Sequence, residues 1–209
     1  MVFFDCKGIS AKRRNSFYNN DEVNLISKLI ILLKENKVEN SIGIISPYKE
    51  QCKKIKESLN EMLIKNIEVN TVDGFQGREK DIIIISLVKS INKKGKIDFV
   101  GFLEDAKRLN VSITRAKSML FVIGNINCIS NSNVWFDFLK FCNNKNYISN
   151  FRTDGISTKF VFEKILFKNH CSSNLAYKSV TKNNQIKNIK LDSKPLSKEK
   201  NSREIKMNN

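Results

Sequence analysis

Hydrophobic residues along the chain alternate between two kinds of segment. Short, nearly continuous apolar runs are typical of strands buried on both faces of a sheet. Between them, apolar residues recur every three or four positions, which predicts helices. Strands are predicted at residues 2–4, 41–46, 67–70, 82–88 and 119–123, with a polar loop through Ser16 after the first. Helices are predicted from Asn19 or Asn20, over residues 48–63, over residues 103–114 and around Trp135. This alternation predicts a parallel α/β sheet flanked by helices.

The starts of the first two helices carry recognisable signals. Asn19 or Asn20 is expected to cap the first helix. Pro47 has the fixed φ that suits the first turn of the second helix. The acidic pair Asp21 and Glu22 follows a polar segment rather than an apolar strand, so it is interpreted as a helix start and not as a metal-holding pair.

The alternating pattern ends after about residue 143. We therefore predict one domain over residues 1–145, a short extension of uncertain nature over 146–171, and a Lys/Asn-rich tail over 172–209. The tail cannot bury enough apolar surface to offset its chain entropy, so it is expected to be disordered. Residues 160–167 suit either a short extra helix or a docking segment. The only histidine, His170, is given no role.

The chain is strongly basic. Its 209 residues hold 37 Lys and Arg against 21 Asp and Glu, a formal net charge of +16. Residues 168–209 contribute ten basic and three acidic residues to this balance. Such an excess favours a polyanionic partner such as RNA or DNA. The basic tail is interpreted as a tether, a nuclear signal or, most commonly for such runs, a solvated charged segment.

Cysteine usage and hydropathy indicate the compartment. The five cysteines are scattered and never occur in a C-x-x-C spacing, which argues against a zinc site or a disulfide framework. No signal peptide is recognised at the amino terminus, and no apolar stretch is long enough to span a bilayer. We therefore expect an intracellular protein without membrane partners, in a reducing nuclear or cytoplasmic compartment.

Two polar segments precede predicted strands and hold the candidate chemistry. Residues 71–81 form a glycine-containing turn before the strand at 82–85, and residues 108–117 lead into the strand at 119–123. A parallel sheet places strand-end turns along one edge, where phosphates are usually held. We therefore expect both segments to lie at that edge.

Arg115 is the sharpest catalytic candidate. Phosphoryl transfer requires a positive charge beside the γ-phosphate to stabilise the negative charge of the transition state. A guanidinium from a neighbouring domain supplies this charge. On spacing alone, a solvated surface arginine explains Arg115 equally well.

The glycine-containing turn provides further candidates. Gly74 and Gly77 permit close backbone approach, and Gln76 is able to hydrogen-bond a phosphate or an attacking water. Glu79 is able to accept a hydrogen bond from a ribose hydroxyl. The alternative is that residues 78–81 are a charged loop before a buried strand.

Three residues at predicted strand ends are candidates for nucleic-acid binding: Ser46, Tyr48 and Thr71. Hydroxyls and helix amino-terminal amides suit backbone phosphates, and Tyr48 is placed either to stack on a base or to support the loop. Without further information, a helix cap is the favoured role for Ser46.

Together these segments resemble the C-terminal motor half of superfamily 1 helicases of the up-frameshift and senataxin type. Residues 42–51 are similar to the fourth helicase motif of that family, residues 71–81 to the fifth and residues 108–117 to the sixth. The resemblance covers about residues 1–143, with the motifs in the family's order.

The resemblance implies a RecA-like fold and ATP-driven movement along single-stranded RNA or DNA, with ATP and Mg²⁺ as cofactors. It implies roles for individual residues by position: Arg115 as the arginine finger, Glu79 at the nucleotide sugar, Gln76 and Gly77 lining the ATP cleft, and Ser46 and Thr71 at the nucleic-acid backbone.

The chain also departs from the family pattern. It has no G-x-x-x-x-G-K-[ST] sequence and no acidic metal motif after a strand. Lys89 and Lys107 stand where arginines are common, which keeps the charge and loses bidentate geometry. We therefore expect the phosphate cradle and the metal ligands on a first RecA-like domain, in cis or in trans, and no ATP hydrolysis by this chain alone. The alternative is a catalytically inactive remnant that binds nucleic acid or protein.

Overall fold

The computed structural model describes residues 1–90, 104–130 and 132–150. Most of the predicted loop at 89–100, the segment 160–167, His170 and the predicted disordered tail therefore lie outside the described residues. The same holds for the first residue of the helix predicted over 103–114.

Six strands form one parallel sheet, in the order β5-β4-β6-β7-β1-β8. These strands are β1 (Val2–Asp5), β4 (Ile42–Ser46), β5 (Ile67–Thr71), β6 (Lys80–Ser86), β7 (Ala116–Gly124) and β8 (Ile148–Asn150). Two further strands, β2 (Ala11–Arg13) and β3 (Ser16–Tyr18), pair with each other as an antiparallel hairpin.

Helices follow most of the strands. They are α1 (Asn20–Glu35), α2 (Lys49–Glu61), α3 (Ala106–Ile113), α4 (Ile126–Ile129) and α5 (Asn133–Asn144), and a 3₁₀ turn lies at Asp73–Phe75. Asn19 caps α1, since its side chain accepts hydrogen bonds from the backbone N–H groups of Asp21 and Glu22. The predicted fold class, a RecA-like parallel sheet flanked by helices, is confirmed. Within the described residues, no helix is long and apolar enough to cross a membrane.

The core has one apolar layer on each face of the sheet. On one face, Ile44 and Ile84 pack in a cluster with Leu29 of α1. On the other face, Ile45 and Ile85 pack with Trp135 of α5, as the sequence predicts for the last helix. Consecutive strand residues therefore enter opposite layers. Both layers are apolar, so the strand residues that enter either layer have to be apolar, which explains the continuous apolar runs in the sequence. Full burial of each large aliphatic side chain stabilises the fold by about 1.5–3 kcal/mol.

Three local features differ from the sequence-based expectations. The segment expected to be a loop through Ser16 contains the β2–β3 hairpin, whose strands of three residues are too short to show a periodicity. Pro47 lies outside α2, because Tyr48 is the N-cap and the helix begins at Lys49. Strand β8 was not expected either. It pairs with β1 and lies beyond residue 145, where the domain is predicted to end. The domain bounds given above stay a prediction.

Candidate nucleotide and nucleic-acid surfaces

Glu79 and Arg115 lie at the amino edge of the sheet. The chain enters a parallel strand at this edge, and the two residues directly precede β6 and β7. Lys80 and Ala116, the first residues of these strands, are register partners. The two motifs therefore meet where both strands begin.

Ser46 and Thr71 lie at the opposite, carboxyl edge. They are the last residues of β4 and β5 and are register partners. Glu79 and Arg115 therefore do share one edge, but it is the amino edge and not the edge at which phosphates are usually held, so the predicted edge is wrong. Residues 71–81 run from the carboxyl end of β5 to the amino end of β6 and so span the sheet. Strand β6 has seven residues, which at about 3.3 Å each separate the two edges by about 20 Å.

The Arg115 guanidinium is held at the end of α3. Its Nε donates to the carbonyl oxygen of Val111 at 3.1 Å, and its Nη2 donates to Oγ1 of Thr114 at 3.1 Å. The last carbonyls of a helix lack intrahelical partners and carry partial negative charge, so they attract a cation. The Arg115 side chain is 21% exposed. It is therefore fixed in direction and still reaches the surface, unlike a fully solvated arginine.

Thr114 is oriented to accept the Arg115 hydrogen bond. Its hydroxyl donates to the carbonyl oxygen of Asn110 at 2.7 Å. A threonine hydroxyl has one proton and two lone pairs, and arginine only donates. Because the proton points towards Asn110, a lone pair is left for Nη2 of Arg115.

Glu79 links the two motifs. Its Oε1 lies 3.9 Å from Nη1 of Arg115, and its side chain is 49% exposed. An exposed ion pair at this distance adds at most about 1 kcal/mol to stability. The carboxylate therefore stays accessible to a hydroxyl donor while it faces the guanidinium.

The two glycines of the turn serve different purposes. A Cβ on Gly74 would lie 2.3 Å from Oδ1 of Asn70, so this position needs close approach. Gly77 has φ +73°, and a Cβ there would meet nothing within 4 Å. Of these two glycines, Gly74 is the one with a close neighbour within the chain, and the approach of either glycine to a ligand stays a prediction. Gly77 is needed for its backbone conformation, and the exposed Gln76 precedes it.

At the carboxyl edge, Ser46 supports the entry into α2. Its side chain is buried, and its Oγ accepts a hydrogen bond from the Tyr48 backbone N–H at 3.4 Å. The N-cap itself is Tyr48, so the favoured role of Ser46 as the cap is wrong. The Tyr48 ring contacts Phe17 edge to face with centroids 5.6 Å apart. Thr71 is half-buried, and its Oγ1 accepts from the Gly74 N–H at 3.3 Å.

A buried polar network, which the sequence analysis missed, lies behind this edge. Glu22 is fully buried and accepts hydrogen bonds from Oγ of Ser86 at 2.6 Å and from the Val88 N–H at 3.0 Å. Gln51 donates to the same Ser86 oxygen at 2.9 Å and accepts from the Asn19 N–H at 2.8 Å. The network connects the start of α1, the first turn of α2 and the end of β6.

The network fixes a strained backbone position. Val88 has φ +71°, a conformation that costs a β-branched residue about 1–3 kcal/mol. Glu22 holds the Val88 N–H, and Nδ2 of Asn19 donates to the Val88 carbonyl at 3.3 Å. The next residue, Lys89, places its Nζ 3.3 Å from the Phe17 ring centroid. The hydrogen bonds to Val88 therefore direct Lys89 onto the aromatic pair formed by Phe17 and Tyr48.

A small cleft also opens at this edge. It has about 20 Å³ of free space and is lined by Pro47, Val72, Leu87, Arg108 and Trp135, among others. This volume holds about one water molecule. The cleft is not lined by Gln76, Glu79 or Arg115, which lie on an open surface. Within the described residues, no cluster of His, Cys, Asp and Glu is arranged to hold a metal ion.

The comparisons with known proteins give the class. A family model described as an AAA domain matches residues 1–127, and the chain belongs to this family. More specifically, it is a C-terminal domain of the superfamily 1 helicase type, as in the up-frameshift and senataxin helicases. The predicted family resemblance is thus confirmed.

Individual relatives match half of this chain or more. The chain is 49% identical over 113 residues to DNA polymerase alpha-associated DNA helicase A of Saccharomyces cerevisiae, covering 53% of this chain and 16% of that protein. It is 38% identical over 157 residues to Regulator of nonsense transcripts 1 of Dictyostelium discoideum, covering 71% and 12%. The chain therefore spans less than a fifth of the length of these relatives.

Among solved structures, the C-terminal domain of a possible DNA helicase from Lactobacillus plantarum is similar, with a TM-score of 0.39 and 13% identity. The match covers 59% of this chain and 72% of that one.

Proposed function

We propose that this chain is the C-terminal motor half of an ATP-dependent helicase that acts on RNA or DNA, with Arg115 as its arginine finger. One observation supports this most: the Arg115 guanidinium is held by the end of α3 and faces Glu79 from the neighbouring motif. Both groups lie at an accessible edge rather than in an enclosed pocket. Such an edge suits a site that a second surface completes.

The finger role follows from the electrostatics of this edge. Bound ATP with Mg²⁺ supplies the phosphoryl group that is transferred to water. Arg115 contributes a preoriented positive charge for the oxygens of that group, which is worth most where water is excluded. Glu79 accepts a hydrogen bond from the sugar, and Gln76 with Gly77 lines the nucleotide side of the turn. A first RecA-like domain, in cis or in trans, supplies the phosphate cradle and the metal ligands.

The carboxyl edge carries the nucleic-acid track in this proposal. Thr71 and Tyr48 lie there at least partly exposed and are assigned to the backbone and to a base. Ser46 is fully buried, so a contact of its side chain with nucleic acid gains no support from this geometry. With nucleic acid as its substrate, the protein is placed in the nucleus or the cytoplasm.

The separation of the two edges has a mechanistic consequence. The residues proposed for ATP precede β6 and β7 and those proposed for nucleic acid lie at the carboxyl ends of β4 and β5, so they lie at opposite edges of the same sheet, and residues 71–81 run from one edge to the other. In this proposal, residues 71–81 are the segment that connects the two edges directly. This arrangement suits coupling of hydrolysis to movement along a strand.

The test is reconstitution of ATP hydrolysis. The full chain is assayed alone, and then with the first motor domain of the yeast helicase named above, added in trans and as a fusion. Each assay is run with single-stranded RNA, with single-stranded DNA and without nucleic acid. We expect hydrolysis only in the combination, stimulated by one of the strands. Nucleic-acid binding without hydrolysis in any combination would instead support the inactive remnant.

A further inference from the structure

The β2–β3 hairpin is fixed beside the proposed nucleic-acid track. The Glu50 backbone N–H donates to Oγ of Ser16 at 3.2 Å, and the Phe17 ring contacts the Tyr48 ring. Both contacts join β3 to the beginning of α2. The hairpin therefore sits at the carboxyl edge of the sheet, next to Tyr48.

Three consecutive cations lie on this hairpin. Lys12, Arg13 and Arg14 are all exposed. Arg13 has a loose contact of 3.9 Å with Glu50, and half of its side chain is exposed. The Nζ of Lys12 lies 5.9 Å from the Phe17 ring centroid. The hairpin thus presents a compact positive surface on a rigid support.

Arg14 occupies a position that stability alone does not favour. It lies in the two-residue turn of the hairpin with φ +53°, a conformation that suits glycine or asparagine better than arginine. Arg14 can therefore be replaced by asparagine without a cost from the turn conformation.

We propose that Lys12, Arg13 and Arg14 bind the phosphodiester backbone of single-stranded nucleic acid and extend the track that begins at Thr71 and Tyr48. This site rests on the proposed function only for the nature of its ligand. Exposed cations on a rigid hairpin contact phosphates without reading sequence. Each phosphate contact adds to the steepness with which affinity falls as salt rises. Removal of three such contacts should therefore make the slope of log K against log salt shallower by about two units.

The test compares two variants of the full chain with the same change of charge. One is Lys12→Gln, Arg13→Gln and Arg14→Gln combined. The matched control is Lys34→Gln, Lys37→Gln and Lys65→Gln, three exposed lysines near the amino edge. Binding to labelled oligo-uridine and oligo-thymidine is measured as a function of salt. We expect the hairpin variant to lose at least about tenfold in affinity and about two units of slope. The control should lose only a few-fold.

A single substitution separates binding from folding. Arg14→Asn suits the positive φ, so its thermal stability should match or exceed that of the parent while its affinity falls. Equal losses in the two triple variants, or an Arg14→Asn variant that binds as the parent does, would overturn the hairpin site. Either result would overturn the hairpin site alone and would not count against the proposed ATP hydrolysis of the reconstituted motor. Failure of the parent chain to bind either oligonucleotide would count against both the hairpin site and the proposed track.

Discussion

The carboxyl group of Glu22 accepts a hydrogen bond from the hydroxyl of Ser86 at 2.6 Å, and both residues are fully buried. The contact joins the first turn of α1 to the last residue of β6, 64 positions apart in the chain. Burial raises the pKa of Glu22 to about 8, although the hydrogen bonds from Ser86 and Val88 lower it. The position of Lys89 therefore depends on an acid whose charge state changes near neutrality.

The first prediction concerns stability and pH. In the folded chain the pKa of Glu22 is about 8, against an ordinary value of 4.5. An acid with a raised folded-state pKa contributes its full stability below pH 4.5 and loses it as pH rises towards 8. We therefore expect the free energy of unfolding in urea to fall over this range, and Glu22→Gln to remove much of that fall.

Two neighbours of Glu22 leave this expectation unchanged. Asp21 adds a like charge that raises the pKa of Glu22 further. Burial raises the pKa of Cys6 to about 12, so this thiol stays protonated throughout the range. Parallel pH profiles for the parent and Glu22→Gln would contradict a buried, largely neutral carboxyl group.

The second prediction concerns Thr114 as a positioning residue for Arg115. Thr114→Val keeps the shape of the side chain and removes the hydroxyl that accepts from Nη2 of Arg115. With a first motor domain present, we expect kcat for ATP hydrolysis to fall about tenfold, equivalent to about 1.4 kcal/mol. KM should change little. Thr114→Ser keeps the hydroxyl and should retain most of the activity, whereas equal losses in the two variants would point to packing of the methyl group instead.

The third prediction concerns Gly77. An alanine there meets no steric contact, so its cost comes only from the positive φ. We expect Gly77→Ala to destabilise the fold by about 1 kcal/mol and Gly77→Asn by less, because asparagine tolerates this conformation better. Equilibrium denaturation of the three chains measures both effects. An alanine variant as stable as the parent would show that the turn readily adopts another conformation.

The parallel sheet could be predicted because its central strands, such as β4 and β6, are buried on both faces. The apolar runs around Ile44 and Ile84 are long enough to be recognised, and Asn19 marks the start of α1. The hairpin at residues 11–18 could not be predicted in this way. Its strands are short and polar, and they are held by contacts with Tyr48 and Glu50 that are distant in sequence.

The candidate site was predictable in composition but not in arrangement. Motif order indicated Arg115 and Glu79, and the structure brings them together. Their edge was misjudged because a residue before a strand lies at its amino end, opposite to Ser46. The role of Glu22 also depended on the fold, since its partner Ser86 is brought to it only by the packing of α1 on the sheet.

The most direct test of the central claim is the kcat for ATP of the chain combined with a first motor domain, with and without Arg115→Ala. Arg78→Ala is the matched control, because Arg78 lies in the same turn as Glu79 and pairs with Glu68 instead. The account predicts a fall of about 10³-fold in kcat for Arg115→Ala and a change of no more than a few-fold for Arg78→Ala. Retention of activity in Arg115→Ala, to within a few-fold of the parent, would contradict its assignment as the arginine finger.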